Sequence, residues 1–466
     1  NGPTVDAANW HFIAGTLSAG ATKTKRLFID GAVAAENTGV TGNIADTPDN
    51  LLIGARTNAT AYWGGIIDEV RVSRIARSTN WVWAEFQNSA SNGIFNSYAS
   101  VSGGPEIGVL GTNLASIADG SGSASVALGT DFGTVSLSTG AQAERIFTIT
   151  NSGNAALTLS GSPILALSGA AASDFSLIAG PTRTNLTPGQ TATFTLRFQP
   201  SATGTRAAQV SLGSDDGDEN AYAYQRPLQS CGYTRDETLT NFPVLVVLNT
   251  AVPGFSYSQF KGANGGDLRF SDGAQANLLN FEIDSWDPSG SSYVWVQVPA
   301  LSNASASIYA YWGNTNATPL PAYATNGAAW SERFAGVWHL AETSGASRDS
   351  TTNGLTGYPS NGITQAATGQ IGGGDSFHGS GSRTYFGTPA VLNNLTNSFT
   401  ASAWIMPDVL GGNRIVFGAH WGSLNGWSFR LTEANPAIER LPGGTLNSGV
   451  GLTADQWAAV TVVLPW

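Results

Sequence analysis

The chain has 466 residues, 11% of them charged and 41% hydrophobic, and a net charge of −11; at about 150 residues per domain this is room for about three domains, each with its own core. Its 57 glycines, 12 tyrosines and 14 tryptophans are a strand-and-turn composition, poor in helix formers. The acidic balance excludes nucleic acid as a partner, since phosphate binding needs clustered Lys and Arg; the single cysteine, Cys231, excludes an intrachain disulfide, and no run reads as a membrane span or a signal peptide.

Residues 1–98 alternate short apolar runs with Gly, Asn and Asp turns. RLFIDG reads as a strand entering a hairpin turn, and LLIGA as a buried strand. In IIDEVRVSR, alternation places Ile67, Glu69 and Arg71 on one side and Asp68, Val70 and Val72 on the other. Asp68 would then share a face with buried valines, where an acid needs a partner or a cation. Ser78 reads as the N-cap of a short helix over 79–87, with Val82 and Phe86 at helical spacing. Trp81 and Trp83 are candidate sugar platforms, but the size of an indole favours Trp81 as an anchor for this helix.

A Gly- and Ser-rich link over 99–104 leads to a second pattern at 105–225. In FTLRF, Phe194, Leu196 and Phe198 face in while Thr195 and Arg197 face out, an antiparallel sandwich strand with one wet face. Asp215, Asp216, Asp218 and Glu219 lack the D-x-D-x-D-G register of a calcium loop and read as a solvated acidic turn. AYAYQRPLQ then runs without a linker into the next string of strands, so the segment 221–229 is claimed by two domains and can pair fully with only one. Over 226–314, SSYVWVQVPAL and ASIYAYWGN predict a further antiparallel sandwich. Glu282 and Asp284, two apart on a strand, share a face. As a glycosidase pair they are poorly placed, because catalytic carboxylates generally flank a cleft from different strands. Residues 315–333, rich in Pro and Ala, read as a semi-extended linker.

The last segment, 334–466, contains VWHLAETSGASRDSTTNGL, GDSFHGSGSRTYF, NSFTASAWIMPD and GWSFRL; Phe399 and Trp404 read as core, and Trp421, in a turn-like stretch, as a candidate for stacking on a sugar ring. Its final strand, introduced by Ala454 and Trp457, has the same form as the first strand of the chain, introduced by Ala7 and Trp10.

These strings carry resemblances. Residues 334–466 resemble the N-terminal half of a laminin-G-like jelly roll of the concanavalin A type, and residues 1–98 the C-terminal half. FTITNSGNAALTL and its neighbours resemble the choice-of-anchor D family of immunoglobulin-like sandwiches. Residues 226–314 resemble a bacterial domain of unknown function that commonly precedes laminin-G-like domains. The implied fold is all-β, in tandem antiparallel β-sandwiches, with one jelly roll split over the two ends of a chain cut from a longer repetitive protein. Each half alone would leave an apolar edge and face exposed. The halves are therefore expected to pair with each other or with a second chain, with one of the two tryptophan strands displaced or added at an edge.

The laminin-G resemblance implies a structural calcium held by Asp68, with further oxygens from the 342–349 loop, Glu342 and Asp349 among them, or from around Gly379, since one carboxylate cannot fill a site of 6–8 oxygens. The alternative is an aspartate that caps a sheet end by accepting from backbone amides. No catalytic residue is assigned: the laminarinase signature E-x-D-x-x-E is absent, as is G-x-S-x-G, and His11, His339, His378 and His420 lack metal spacing such as H-E-x-x-H. The resemblance implies a non-enzymatic fragment of a secreted or cell-surface bacterial protein, extracellular in location, that binds glycans or cell-surface partners in adhesion. The competing expectation is the accessory region of a polysaccharide-degrading enzyme whose catalytic module lies elsewhere.

Overall fold

A computed structural model describes residues 11–465 apart from 19–22, 41–49, 57–60, 217–221, 394–397, 409–411, 422–424, 433–434, 442–443, 448–457 and single positions at 102, 139, 154, 305, 315, 361 and 380. Along the strands His11–Ser18 and Ala458–Pro465, and at Trp421, only the backbone is described. The chain is predominantly β, in antiparallel sheets, as its period-two patterning requires.

The first sandwich draws both of its sheets from both ends of the chain. Among the described residues its larger sheet has nine strands, in which Gly64–Ser73 lies between Gly373–His378 and Ser398–Pro407, with Phe334–Trp338 also paired to it. Beyond Ser398–Pro407 come Ala458–Pro465, His11–Ser18, Lys23–Ile29 and Ala32–Val40. In the seven-stranded sheet, Leu51–Ile53 lies between Thr384–Tyr385 and Asn413–Trp421. The core joins Leu27, Ile67, Val70 and Val72 from one end to Trp338, Phe377, Phe399, Phe417, Trp427 and Phe429 from the other. Each such side chain contributes about 1.5–3 kcal/mol on burial, a stabilisation that neither half can obtain alone. The two halves thus close on each other within one chain.

Two expectations about this sandwich are corrected. His11–Ser18 and Ala458–Pro465 are not rivals for one slot, with one at an edge: they lie side by side inside the sheet as a parallel pair, His11 opposite Ala458 and Ile13 opposite Val460. Trp10 and Trp457 lie outside the described residues. The second correction concerns Gly64–Ser73. Arg71 pairs with Ser402 and Asp68 with Trp404, so Glu69 and Val70 together face Ala403, and Glu69 has φ 53°. This bulge breaks the alternation: Ile67, Val70 and Val72 all enter the core, while Asp68 and Arg71 leave it by the opposite face.

The second sandwich spans 105–216. Phe175–Ala179, Thr191–Phe198, Ala143–Asn151, Ile107–Leu110 and Ser116–Ile117 form one sheet, and Asn185–Leu186, Leu157–Ser168 and Gln209–Ser214 the other. Phe194, Leu196 and Phe198 are buried as the alternation requires. The acidic turn is not simply solvated: the Asp215 carboxylate accepts from Thr158 N at 2.6 Å and that of Asp216, which is buried, from Ile107 N at 2.8 Å. Asp218 and Glu219 lie outside the described residues.

The third sandwich packs Leu239–Leu248, Ser292–Leu301 and Phe281–Ser285 against Arg269–Asp272, Ser307–Trp312, Tyr224–Gln229 and Ser97–Tyr98. Tyr224–Gln229 pairs along its length with Ser307–Trp312, so the contested segment serves this sandwich. The segment 315–333 is not a bare linker: it forms the 3-10 turns Ala322–Ala324 and Ala328–Trp330, and Trp330 is buried in the same core. A long apolar ring with no aqueous neighbour has more to gain from burial than an extended spacer loses in entropy.

The helix Thr79–Ala90, capped by the Ser78 side chain accepting from Trp81 N at 3.1 Å, rivets the first sandwich to the third. Val82 packs with Phe28 and Trp404. Trp81 packs on Phe242, ring centroids 4.9 Å apart, under the Arg77 guanidinium. Beyond it Asn88, Asn92 and Asn96, four apart, lie along the edge strand Leu239–Leu248 and supply amide hydrogen bonds to Pro243 O, Leu245 N and Leu245 O. Side-chain amides thus complete an edge that would otherwise present unpaired backbone.

Candidate functional site

The bulge at Glu69 turns a charged row outward against the third sandwich. Glu69 Oε2 accepts from Arg71 Nη2 at 2.6 Å and from Nε at 3.2 Å, while Oε1 lies 2.7 Å from His339 Nδ1. Arg71 reaches Glu85 of the helix at 3.3 Å, and its guanidinium carbon lies 4.2 and 4.9 Å from the ring centroids of Trp295 and Trp330. His339, immediately after Phe334–Trp338, stacks on Trp295 with planes 12° apart. On its other nitrogen, Nε2 lies 3.4 Å from Glu282 Oε2. Glu282 in turn accepts from the Trp330 indole N–H and, at 2.7 Å, from the Ser350 hydroxyl.

Asp284 is the member without a hydrogen bond. Its side chain is 1% exposed, neither oxygen lies in hydrogen-bonding geometry with a donor although the Trp295 indole N–H leans toward it, and His339 Nδ1 lies 3.7 Å from Oδ2. A buried carboxylate in this state carries its full desolvation cost. Donor atoms of Glu69, Asp284 and His339 lie within 4.8 Å of one another.

Burial dominates the electrostatics of the seam. It lifts Asp284 to about 7 despite the pull of His339. It also raises Asp68 well above the carboxylate range, with the Glu69 charge adding to the effect. Burial alone would raise Glu69 too, but the charges of His339 and Arg71 outweigh it and hold Glu69 low. For His339, burial opposes protonation, and Asp284 and Glu69 overcome it and raise the imidazole well above its usual value. A histidine with carboxylates on both nitrogens is held as a double donor.

The residues read from the sequence as calcium ligands do not converge. Asp68 Oδ2 accepts from Ile371 N at 2.9 Å, the backbone cap that was the alternative reading, and Oδ1 has no partner. Asp349 is saturated: it accepts from Val337 N, Thr351 N, Thr351 Oγ1 and Leu355 N, all at 2.8–3.0 Å, and so shapes the 349–355 loop. Glu342 Oε1 accepts from Arg348 N, and Oε2 is buried and without a partner. Its charged neighbour is a residue that the sequence reading did not single out, Asp375, fully buried, with neither oxygen hydrogen-bonded. Burial, with a smaller contribution from Glu342, lifts Asp375 to about 8. Trp421 ends the Asn413–Trp421 strand opposite Asn425; its side chain lies outside what is described.

Two sequence families meet at this seam. The model described as the Concanavalin A-like lectin/glucanases superfamily matches residues 1–83 and 380–465, and one described as Domain of unknown function (DUF2341) matches 264–340. The chain therefore carries a concanavalin A-like domain split between its two ends and, within it in sequence, a DUF2341 domain. Glu69 and Arg71 fall in the first match, and Glu282, Asp284, Trp295, Trp330 and His339 in the second. No curated protein and no solved structure matches the chain.

Proposed function

We propose that the chain is a non-enzymatic, carbohydrate-binding or adhesive region of an extracellular or cell-surface bacterial protein. The observation that carries this reading is the closed concanavalin A-like sandwich, whose superfamily fits a carbohydrate-binding or accessory role. Fold likeness sets the class of ligand and not its identity. The acids of the seam support the non-enzymatic side of the reading: both oxygens of Glu282 are engaged by Trp330 and Ser350, and the Asp284 side chain is closed to solvent, so the two do not flank an open cleft as a catalytic pair would. Among the described residues no helix is long and apolar enough to cross a membrane. The immunoglobulin-like identity of the second sandwich, as a choice-of-anchor D domain, belongs to the same proposal and is supported by its two antiparallel sheets.

Calcium belongs to this proposal with a revised ligand set. The orphaned oxygens of Glu342 and Asp375 support a hard cation between them, in place of Asp349, whose oxygens are already filled. The deciding experiment is a glycan array probed with the full chain, with calcium and with EDTA. Saturable binding to a defined glycan class supports the reading. Release of reducing sugar from a β-glucan, lost in Glu282→Gln, refutes it.

A further inference from the structure

We propose that Glu69, Asp284 and His339 form a binding site for a divalent transition-metal ion of the zinc class, bridging the concanavalin A-like sandwich and the DUF2341 sandwich. One imidazole nitrogen and two carboxylates, with donor atoms within 4.8 Å of one another, are the borderline nitrogen and oxygen donors that zinc takes in its three-ligand sites, with water or a further carboxylate in the fourth position.

Three observations point to a ligand rather than to a salt-bridge cluster. Asp284 is buried to 1% exposure with neither oxygen in a hydrogen bond and Oδ2 3.7 Å from His339 Nδ1; a buried polar group without a partner calls for an explanation, and an ion beside donor atoms already gathered around it supplies one. A supporting shell is also in place. Glu282 faces His339 Nε2 and takes its N–H, so that an ion displacing the Nδ1 proton now held by Glu69 would meet an imidazole already oriented by a carboxylate, as in metal-bound histidines. Glu282 is itself fixed by Trp330 and Ser350, and Arg71 holds the second oxygen of Glu69. The ion also relieves the charge imbalance: against the carboxylates of Glu69, Asp284, Glu85 and Glu282, a divalent ion with Arg71 leaves one excess negative charge where Arg71 alone leaves three. The ligands come from Gly64–Ser73, from Phe281–Ser285 and from the residue after Phe334–Trp338, so the ion would pin segments about 55 to 270 residues apart in sequence.

The test is calorimetric titration of the EDTA-stripped, desalted full chain with zinc chloride, together with thermal melts. Wild type is expected to bind one zinc ion and to melt higher with it. Asp284→Asn, which keeps shape and removes a ligand charge, is expected to lose at least about 100-fold in zinc affinity, and Glu282→Gln about 10–100-fold. His339→Gln should abolish binding. Should that variant fail to fold, Asp284→Asn decides, since its cooperative melt without metal reports folding independently. No stoichiometric zinc binding by wild type, or equal binding by wild type and Asp284→Asn, overturns the proposal.

Discussion

The guanidinium of Arg71 lies over the indole of Trp295, 4.2 Å from ring centroid to carbon, and so stacks a charge of the first sandwich on an aromatic of the third. Two of its nitrogens also chelate one oxygen of Glu69. Lysine could supply the charge but neither the fork nor the flat face. Arg71→Lys, which keeps a charge but loses the fork and the stack, is expected to destabilise the chain by about 2–4 kcal/mol, somewhat less than the roughly 3–5 kcal/mol for removing one partner of a buried ion pair, read as a lower urea midpoint. A change within about 0.5 kcal/mol would mean that the stack carries little.

Asp30 and Gly31 turn the hairpin between Lys23–Ile29 and Ala32–Val40, with φ 51° and 73°. Burial raises the Asp30 carboxyl to about 9. A carboxyl raised on folding leaves stability intact below the unfolded value near 3.8 and erodes it as pH climbs toward 9, by at most about 1.4 kcal/mol per pH unit. Asp30→Asn should flatten this slope, and Asn-Gly also suits the turn. The melting temperature of the variant should exceed that of wild type at pH 8 and match it more closely at pH 4; equal differences at both would disprove the assignment.

If calcium sits between Glu342 and Asp375, adding it raises the melting temperature by mass action, and Glu342→Gln removes the response. Asp68→Ala should leave the response in place. A response lost in Asp68→Ala as well as in Glu342→Gln, and kept in Asp375→Asn, would return the ion to the ligand set expected from the sequence.

Asn88 offers both its donor and its acceptor to one strand edge, at Pro243 O and Leu245 N. Asn88→Ala strands both backbone groups and should cost about 2–4 kcal/mol. Amide exchange at Leu245 should accelerate more than at Leu248, and unchanged exchange there would show that the helix is not what protects the edge.

The split jelly roll was legible because its strand strings are long and periodic and its termini carry matching halves. The core positions of Phe399 and Phe194 followed from alternation; Trp404, five residues beyond Phe399 and so on the other face, is buried instead under the helix with Phe28 and Val82. The face of Asp68 did not, because a bulge at a non-glycine residue with positive φ leaves no mark in composition: Glu69 looks like any strand glutamate. His339 was set aside for lack of local spacing, yet its partners stand at 69 and 284, and only the closure of one sandwich against another brings them within reach. Asp375 was missed because its charged neighbour, Glu342, stands 33 residues earlier in the same half of the jelly roll, with no local spacing to join them. Trp330, in a stretch rich in proline and alanine, was hidden by its neighbours.

The parallel pairing of His11–Ser18 with Ala458–Pro465 gives the domain a mechanical polarity. Tension applied through residues 11 and 465 pulls the two strands past each other along their length, so their hydrogen bonds resist together in shear rather than opening one by one. The chain between them, including the second and third sandwiches, then lies off the load path and is shielded until that pair slips. Single-molecule extension through these two residues should register one high-force rupture ahead of the unfolding of the inner sandwiches; inner events that come first would show that the strand pair does not bear the load.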